Sequence, residues 1–211
     1  MFGTDLAILD LSGNELTGTF PWGLEDKSSN LVQVDLGGNG IEGSLPEGLG
    51  GFPRLEWFDL SDNDLTGALP RDVFNSPVLS AFDVTGNYMN GTVPEGLFNN
   101  GTMLRLLRLG DNSFSGTLSE RFGELVRLEE LVLFGNEFTG ILPGSLGILS
   151  NLEVLDVGFN QLGGTVPPEI CALTLLEGNL VQLSADCAEP EGGGAPKVGC
   201  DCCTTCFKYN E

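Results

Sequence analysis

Histidine is absent from this 211-residue chain, and lysine and arginine together number only 9. Without an imidazole there is no Ser-His-Asp or Cys-His constellation for nucleophilic catalysis. Against those few cations stand 30 acidic residues, for a formal net charge of -21. A nucleic-acid backbone or an anionic lipid surface repels such a protein. A basic partner, a cation or a neutral polymer does not, and the charge also serves solubility. No stretch approaches the roughly 18 apolar residues of a membrane span. The N-terminal MFGTDLAILDLSGN has no basic region and carries Asp5 and Asp10, so it does not read as a signal peptide. No cysteine precedes Cys171, and no P-loop, G-x-G-x-x-G unit or metal-ligand pair stands out. Neither a cofactor nor a metal is expected.

What the chain does have is a period. Asn14, Asn39, Asn63, Asn87, Asn112, Asn136 and Asn160 are spaced by 25, 24, 24, 25, 24 and 24 residues. Apolar residues recur five and three positions before each Asn and two positions after it, as in Phe58, Leu60 and Leu65. Glycine always stands four positions after it, and proline seven after it in all rungs but one, where Ser119 replaces it. A further apolar position follows ten after the Asn.

Each column has a physical task. The residues five and three before the Asn alternate inward along a short strand, and such strands stack about 4.8 Å apart into a parallel sheet. The Asn amide can serve backbone groups of adjoining turns and so form a ladder. Glycine permits the bend that follows, and proline stops the next segment from pairing as a regular strand. No rung buries its own apolar face, so each needs neighbours.

The frame L-x-x-L-x-L-x-x-N-x-L-x-G-x-[ILFV]-P, seen for example in FDLSDNDLTGALP from Phe58 to Pro70, resembles the plant-type 24-residue leucine-rich repeat. The resemblance covers residues 6 to about 188 and implies an α/β-type solenoid, or horseshoe. The parallel sheet would line its concave face, with turns and short 3-10 helices on the convex face. Residues 1–188 would hold seven regular rungs plus a degenerate eighth, in which Ser184, Ala185 and Asp186 stand near the missing Asn. Residues 189–211 would be an acidic, Gly-rich loop and a cysteine-rich C-terminal cap. The tail is similar to that of secreted or surface members from algae such as diatoms. Relatives usually begin with a cysteine-bearing cap; this chain starts its first rung at Leu6, so upstream sequence is expected to be missing.

All six cysteines, Cys171, Cys187, Cys200, Cys202, Cys203 and Cys206, fall in the last fifth. The run C-x-C-C-x-x-C could offer four thiolates to a metal, but structural zinc sites usually use two separated ligand pairs. A thioredoxin-like role for Cys203 and Cys206 lacks a βαβ context. Disulfides closing a cap are the favoured reading. A Cys171–Cys187 bridge, for instance, would close a loop of about 15 residues, worth on the order of 3 kcal/mol. Disulfides place the chain outside the cell or on its surface. Two sequons, Asn90-Gly91-Thr92 and Asn100-Gly101-Thr102, agree with that and fall in turn or convex segments.

The concave face is where binding is expected. Its outward columns carry Asp35, Asp59 and Asp83 with Trp57 on the early rungs, and Leu106, Arg108, Phe134 and Phe159 on the later ones. Stacked carboxylates could in principle work as acid and nucleophile, but no pocket to desolvate one is evident, and no enzymatic activity is expected. Exposed aromatics on a polar sheet suggest a contact surface, with Trp57, Phe134 and Phe159 as hot spots. The favoured reading is a receptor-like extracellular module binding a protein, peptide or glycan. A second is a soluble wall or matrix component, or an inhibitor of secreted hydrolases.

Overall fold

A computed structural model describes residues 6–20, 30–100, 103–175, 178–189 and 195–208. Seven rungs each contribute one three-residue strand: Ile8–Asp10, Gln33–Asp35, Trp57–Asp59, Ala81–Asp83, Leu106–Arg108, Glu130–Val132 and Val154–Asp156. They pair in chain order, all parallel, and the sheet continues through Gln182–Ala185 to Thr205–Cys206. The central residues Leu9, Val34, Phe58, Phe82, Leu107, Leu131, Leu155 and Leu183 lie directly opposite one another. From Val34 onward they are buried, while most of their flanking neighbours, Ala81 and Ser184 excepted, reach the concave surface.

The asparagines bind successive rungs together. Asn87 Oδ1 accepts from Leu65 N at 2.9 Å in the rung before it. Its Nδ2 donates to Leu60 O at 3.0 Å in that rung, and to Val84 O and Thr85 O at 3.0 and 3.3 Å in its own. Asn39, Asn63, Asn112, Asn136 and Asn160 repeat the pattern. A four-valent amide thus meets backbone groups that, in the middle rungs, are largely buried.

Past the Asn, the chain forms a second parallel sheet in addition to the expected turns. Its strands are Thr17–Thr19, Gly40–Ser44, Asp64–Gly67, Tyr88–Gly91, Ser113–Thr117, Glu137–Gly140 and Gln161–Leu162. The x-L-x-G stretch is extended, so its apolar residue turns inward. The recurring glycine takes φ between 78 and 91°, a left-handed conformation that side chains disfavour. The convex side carries 3-10 turns at Leu49–Gly51, Val73–Asn75, Glu120–Glu124 and Gly144–Ile148, and one-turn helices at Gly96–Asn100 and Pro168–Ala172. In the rung without proline, Ser119 Oγ accepts from Arg121 N at 3.2 Å and caps the turn instead. Phenylalanines fill the interior edge-on, with centroids of Phe20 and Phe82 at 6.1 and 5.9 Å from Phe58.

The two ends differ. At the first rung Ile8, Leu11 and Leu16 are exposed, although the Leu11 and Leu16 columns are buried in every later rung. At the other end the chain closes the stack. The carboxylate of Asp186, itself buried, accepts from Phe159 N at 2.8 Å and Asn160 N at 3.1 Å. In earlier rungs the corresponding N–H groups donate to backbone carbonyls of the next rung, such as Asn136 to Phe159 O. One side chain therefore replaces two carbonyls. Val198–Gly199 adds to Gly164–Thr165 as a small parallel pair.

Replacing Asn87 by Ala is expected to lower the unfolding free energy by about 3 kcal/mol, read by urea denaturation. Asn14→Ala, whose amide reaches Leu11 O and Ser12 O of its own rung and no other carbonyl among the described residues, should cost under about 1 kcal/mol.

Candidate functional site

The concave face has an open half and a covered half. On the open half, Asp10, Asp35, Asp59 and Asp83 stand in register across four strands. Each turns one oxygen back to the chain. Oδ1 accepts from Ser12 N, Gly37 N, Ser61 N and Thr85 N at 3.1, 3.1, 2.9 and 2.8 Å. The column is thus a series of Asx turns that end the strands, with the second oxygen left for the concave surface. Burial pushes the carboxyls of Asp35 and Asp83 above their ordinary range, against the backbone N–H groups that favour the charge.

Arg108 continues that column. Its Nη2 and Nε donate to the two oxygens of Glu130 at 2.6 and 3.0 Å, and Nη1 reaches Asp83 at 3.4 Å. Beside it the surface dips in a shallow recess, walled by Trp57, Asp83, Leu106 and Arg108 and floored by Phe58, Ala81 and Phe82. The indole N–H of Trp57 is buried and has no acceptor among the described residues. The structure therefore gathers Trp57, Asp83, Leu106 and Arg108 in one place, with Asp59 and Asp35 on the adjoining rungs. No ion pair reaches Asp35 or Asp59 among the described residues.

On the other half, Phe134 and Phe159, expected to stand free, carry a third ring. Phe207 from the tail packs on both, with centroids 5.6 and 5.0 Å away, and the pair itself is 5.0 Å apart. Phe134 is half-buried, and Phe159 keeps 44% of its surface. Gly158 lies directly beneath the Phe207 ring, where any Cβ would collide with it. Phe159 also sits at φ 51°, in a column where other rungs place Gly13, Gly38, Asp62, Gly86, Asp111 and Gly135 at positive φ. A bulky residue there is disfavoured by about 1–2 kcal/mol. That column was visible as an outward one; its left-handed backbone and the arrival of Phe207 were not.

All six cysteines are paired: Cys171–Cys202, Cys187–Cys206 and Cys200–Cys203. Disulfides do close the cap, but Cys171 and Cys187 each reach into the terminal run and not to each other. The reason is the last strand. Thr205–Cys206 lies against Ser184–Ala185, which brings Cys206, not Cys171, beside Cys187. Asn90 is exposed on the second sheet, and the Asn100 sequon extends outside the described residues. No described helix is long and apolar enough to cross a membrane.

A family model described as Leucine Rich Repeat matches residues 5–26, 30–52, 54–76, 127–149 and 151–173, more than half of the chain. No curated protein sequence matches significantly. Among solved structures, the plant peptide hormone receptor RGFR1, in complex with RGF2, is 32% identical over 80% of this chain and 27% of its own, with a TM-score of 0.76. The Arabidopsis receptor kinase HAESA, in complex with the peptide hormone IDA and the co-receptor SERK1, is 26% identical over 98% of this chain and 40% of its own, with a TM-score of 0.68. The Leptospira interrogans LRR protein LIC12759 is 27% identical over 85% of this chain and 48% of its own, at 0.66. The chain thus spans between about a quarter and a half of each of these three proteins.

The raised Asp83 pKa has a definite sign in stability. The folded state holds the proton more tightly than the unfolded chain, so this group's contribution falls as pH rises from its ordinary value through the folded one. Asp83→Asn cannot titrate. Its melting temperature relative to the parent is expected to rise between pH 3.5 and pH 7. A constant or falling difference across thermal melts would show that Asp83 is not destabilised by its charge.

Proposed function

This chain belongs to the leucine-rich repeat family, and from that premise we propose that it is a non-enzymatic, extracellular recognition module for a peptide or protein segment bearing a basic side chain. The observation that carries the reading is the recess at Trp57 and its row of carboxylates. Arg108 is the internal precedent: its guanidinium is seated between Asp83 and Glu130. Asp35 and Asp59 repeat half of that seat with no arginine of their own. A ligand guanidinium or ammonium placed along them would meet carboxylate oxygens that the fold leaves uncommitted. Its apolar neighbour would pack across the shallow recess on Trp57 and Leu106. The peptide-bound receptors among the similar structures support a peptide in this role. Three disulfides support an oxidising, extracellular setting.

The shallow recess and the single row of carboxylates beside it favour an extended segment over the broad face of a hydrolase. Panning a random displayed-peptide library against the purified chain is expected to enrich arginine or lysine beside an apolar residue. Trp57→Ala should weaken an enriched peptide by about 2 kcal/mol, roughly thirtyfold, and Asp59→Asn should flatten its salt dependence. No enrichment of basic residues, or an unchanged affinity in Trp57→Ala, would remove this reading.

A further inference from the structure

Two disulfides of the cap stand close enough to exchange partners. The sulfurs of Cys187, Cys200 and Cys203 all lie within 4.8 Å of one another. Cys200 is bonded to Cys203, and Cys187 to Cys206. The third bridge, Cys171–Cys202, stands outside this cluster. The run CDCCTTC contains two overlapping C-x-x-C units, Cys200 to Cys203 and Cys203 to Cys206. Cys203 therefore has two partners at the same distance along the chain. The three clustered cysteines are half-exposed and Cys206 is exposed, so a small thiol can approach.

The bridge at Cys206 also holds something. Phe207 follows it directly, donates its N–H to Ala185 O at 2.9 Å and accepts from Ala188 N at 3.2 Å. The ring then lies over Gly158, between Phe134 and Phe159. The strand that carries it, Thr205–Cys206, is two residues long and ends the sheet. Its backbone pairing is small, so the Cys187–Cys206 bond is the main covalent restraint on where Phe207 sits.

The geometry points to a thiol–disulfide exchange site in the cap, at which a low-molecular-weight thiol switches the pairing and releases Phe207 from the concave face. The thiolate of the small molecule attacks Cys203 Sγ, and Cys200 leaves as a thiolate. Cys200 attacks Cys187 Sγ, forms a Cys187–Cys200 bond and expels the Cys206 thiolate. Cys206 attacks Cys203 in the mixed disulfide, forms Cys203–Cys206 and returns the small thiolate, which regains its proton from solvent. Two disulfides enter and two leave, no electron is gained or lost, and the thiol is a catalyst. Cys206 is then tied to Cys203 within its own loop and no longer to Cys187. Phe134 and Phe159 come into solvent and extend the apolar part of the concave face. This inference does not depend on what the Trp57 recess binds.

The test compares the parent chain with the double variant Cys200→Ser/Cys203→Ser, which keeps the Cys171–Cys202 and Cys187–Cys206 bridges. Both are incubated without oxygen with a substoichiometric amount of reduced glutathione, quenched in acid, and mapped by non-reducing tandem mass spectrometry. Amide hydrogen exchange at Phe207 is followed in parallel. In the parent, Cys187–Cys200 and Cys203–Cys206 links are expected at unchanged intact mass, with Phe207 exchanging about tenfold faster or more. In the double variant neither change is expected on the same timescale. A parent that retains its original three links overturns the proposal. So does a double variant that frees Phe207 as fast as the parent, because the small thiol would then be attacking Cys187–Cys206 directly.

Discussion

The fold depends on an amide that belongs to two rungs at once. From Asn39 on, each ladder asparagine accepts from a backbone N–H of the rung before it and donates to carbonyls of both rungs. Aspartate could accept but not donate, and leucine could do neither, so the position tolerates little else. Around it the parallel sheets stack and the phenylalanine rings meet. A turn that would otherwise bury unpaired peptide groups becomes the part of the rung that is hydrogen-bonded most completely.

That dependence explains why so much of the architecture could be read from the chain itself. Asparagine, glycine and proline repeat because a backbone geometry repeats, so the rung count, the inward columns and the concave strands follow from spacing. Contacts between residues far apart in sequence left weaker traces. Phe207 follows the last cysteine with no pattern around it, and only the missing Cβ of Gly158 shows the space kept for its ring. The disulfide pairing was illegible for a related reason: it follows from which strand Thr205–Cys206 joins. The second sheet was hidden behind the proline, which marks where pairing stops but not where it starts. At the site, Trp57 and the aspartate column could be placed on one face. The recess could not be foreseen, because it depends on Arg108 pairing with Glu130 across the strands.

The concave face thus divides by charge and by cover. The early rungs offer the carboxylates of Asp35 and Asp59, which no ion pair reaches among the described residues, beside an indole that has no acceptor among them. The later rungs present an aromatic pair already occupied by the chain's own tail. In this protein the terminal cap does more than hide the last apolar surface of a repeat stack. It reaches back over the sheet and decides how much of that surface a partner can meet.

The Asp186 carboxylate has a consequence for length. In the turn that leads into each ladder asparagine, N–H groups such as those of Gly135 and Asn136 donate to the following rung, so this turn leaves donors unanswered at the last rung, as the first turn of an α-helix does. An anion at that end answers two of them in the way an acidic N-cap answers a helix. Rungs inserted anywhere upstream would inherit the same ending and be satisfied by it. A stack cut after Asn160 would not, whatever its remaining repeats looked like. How many rungs such a solenoid can carry is therefore left open by the repeat and closed by one side chain outside it.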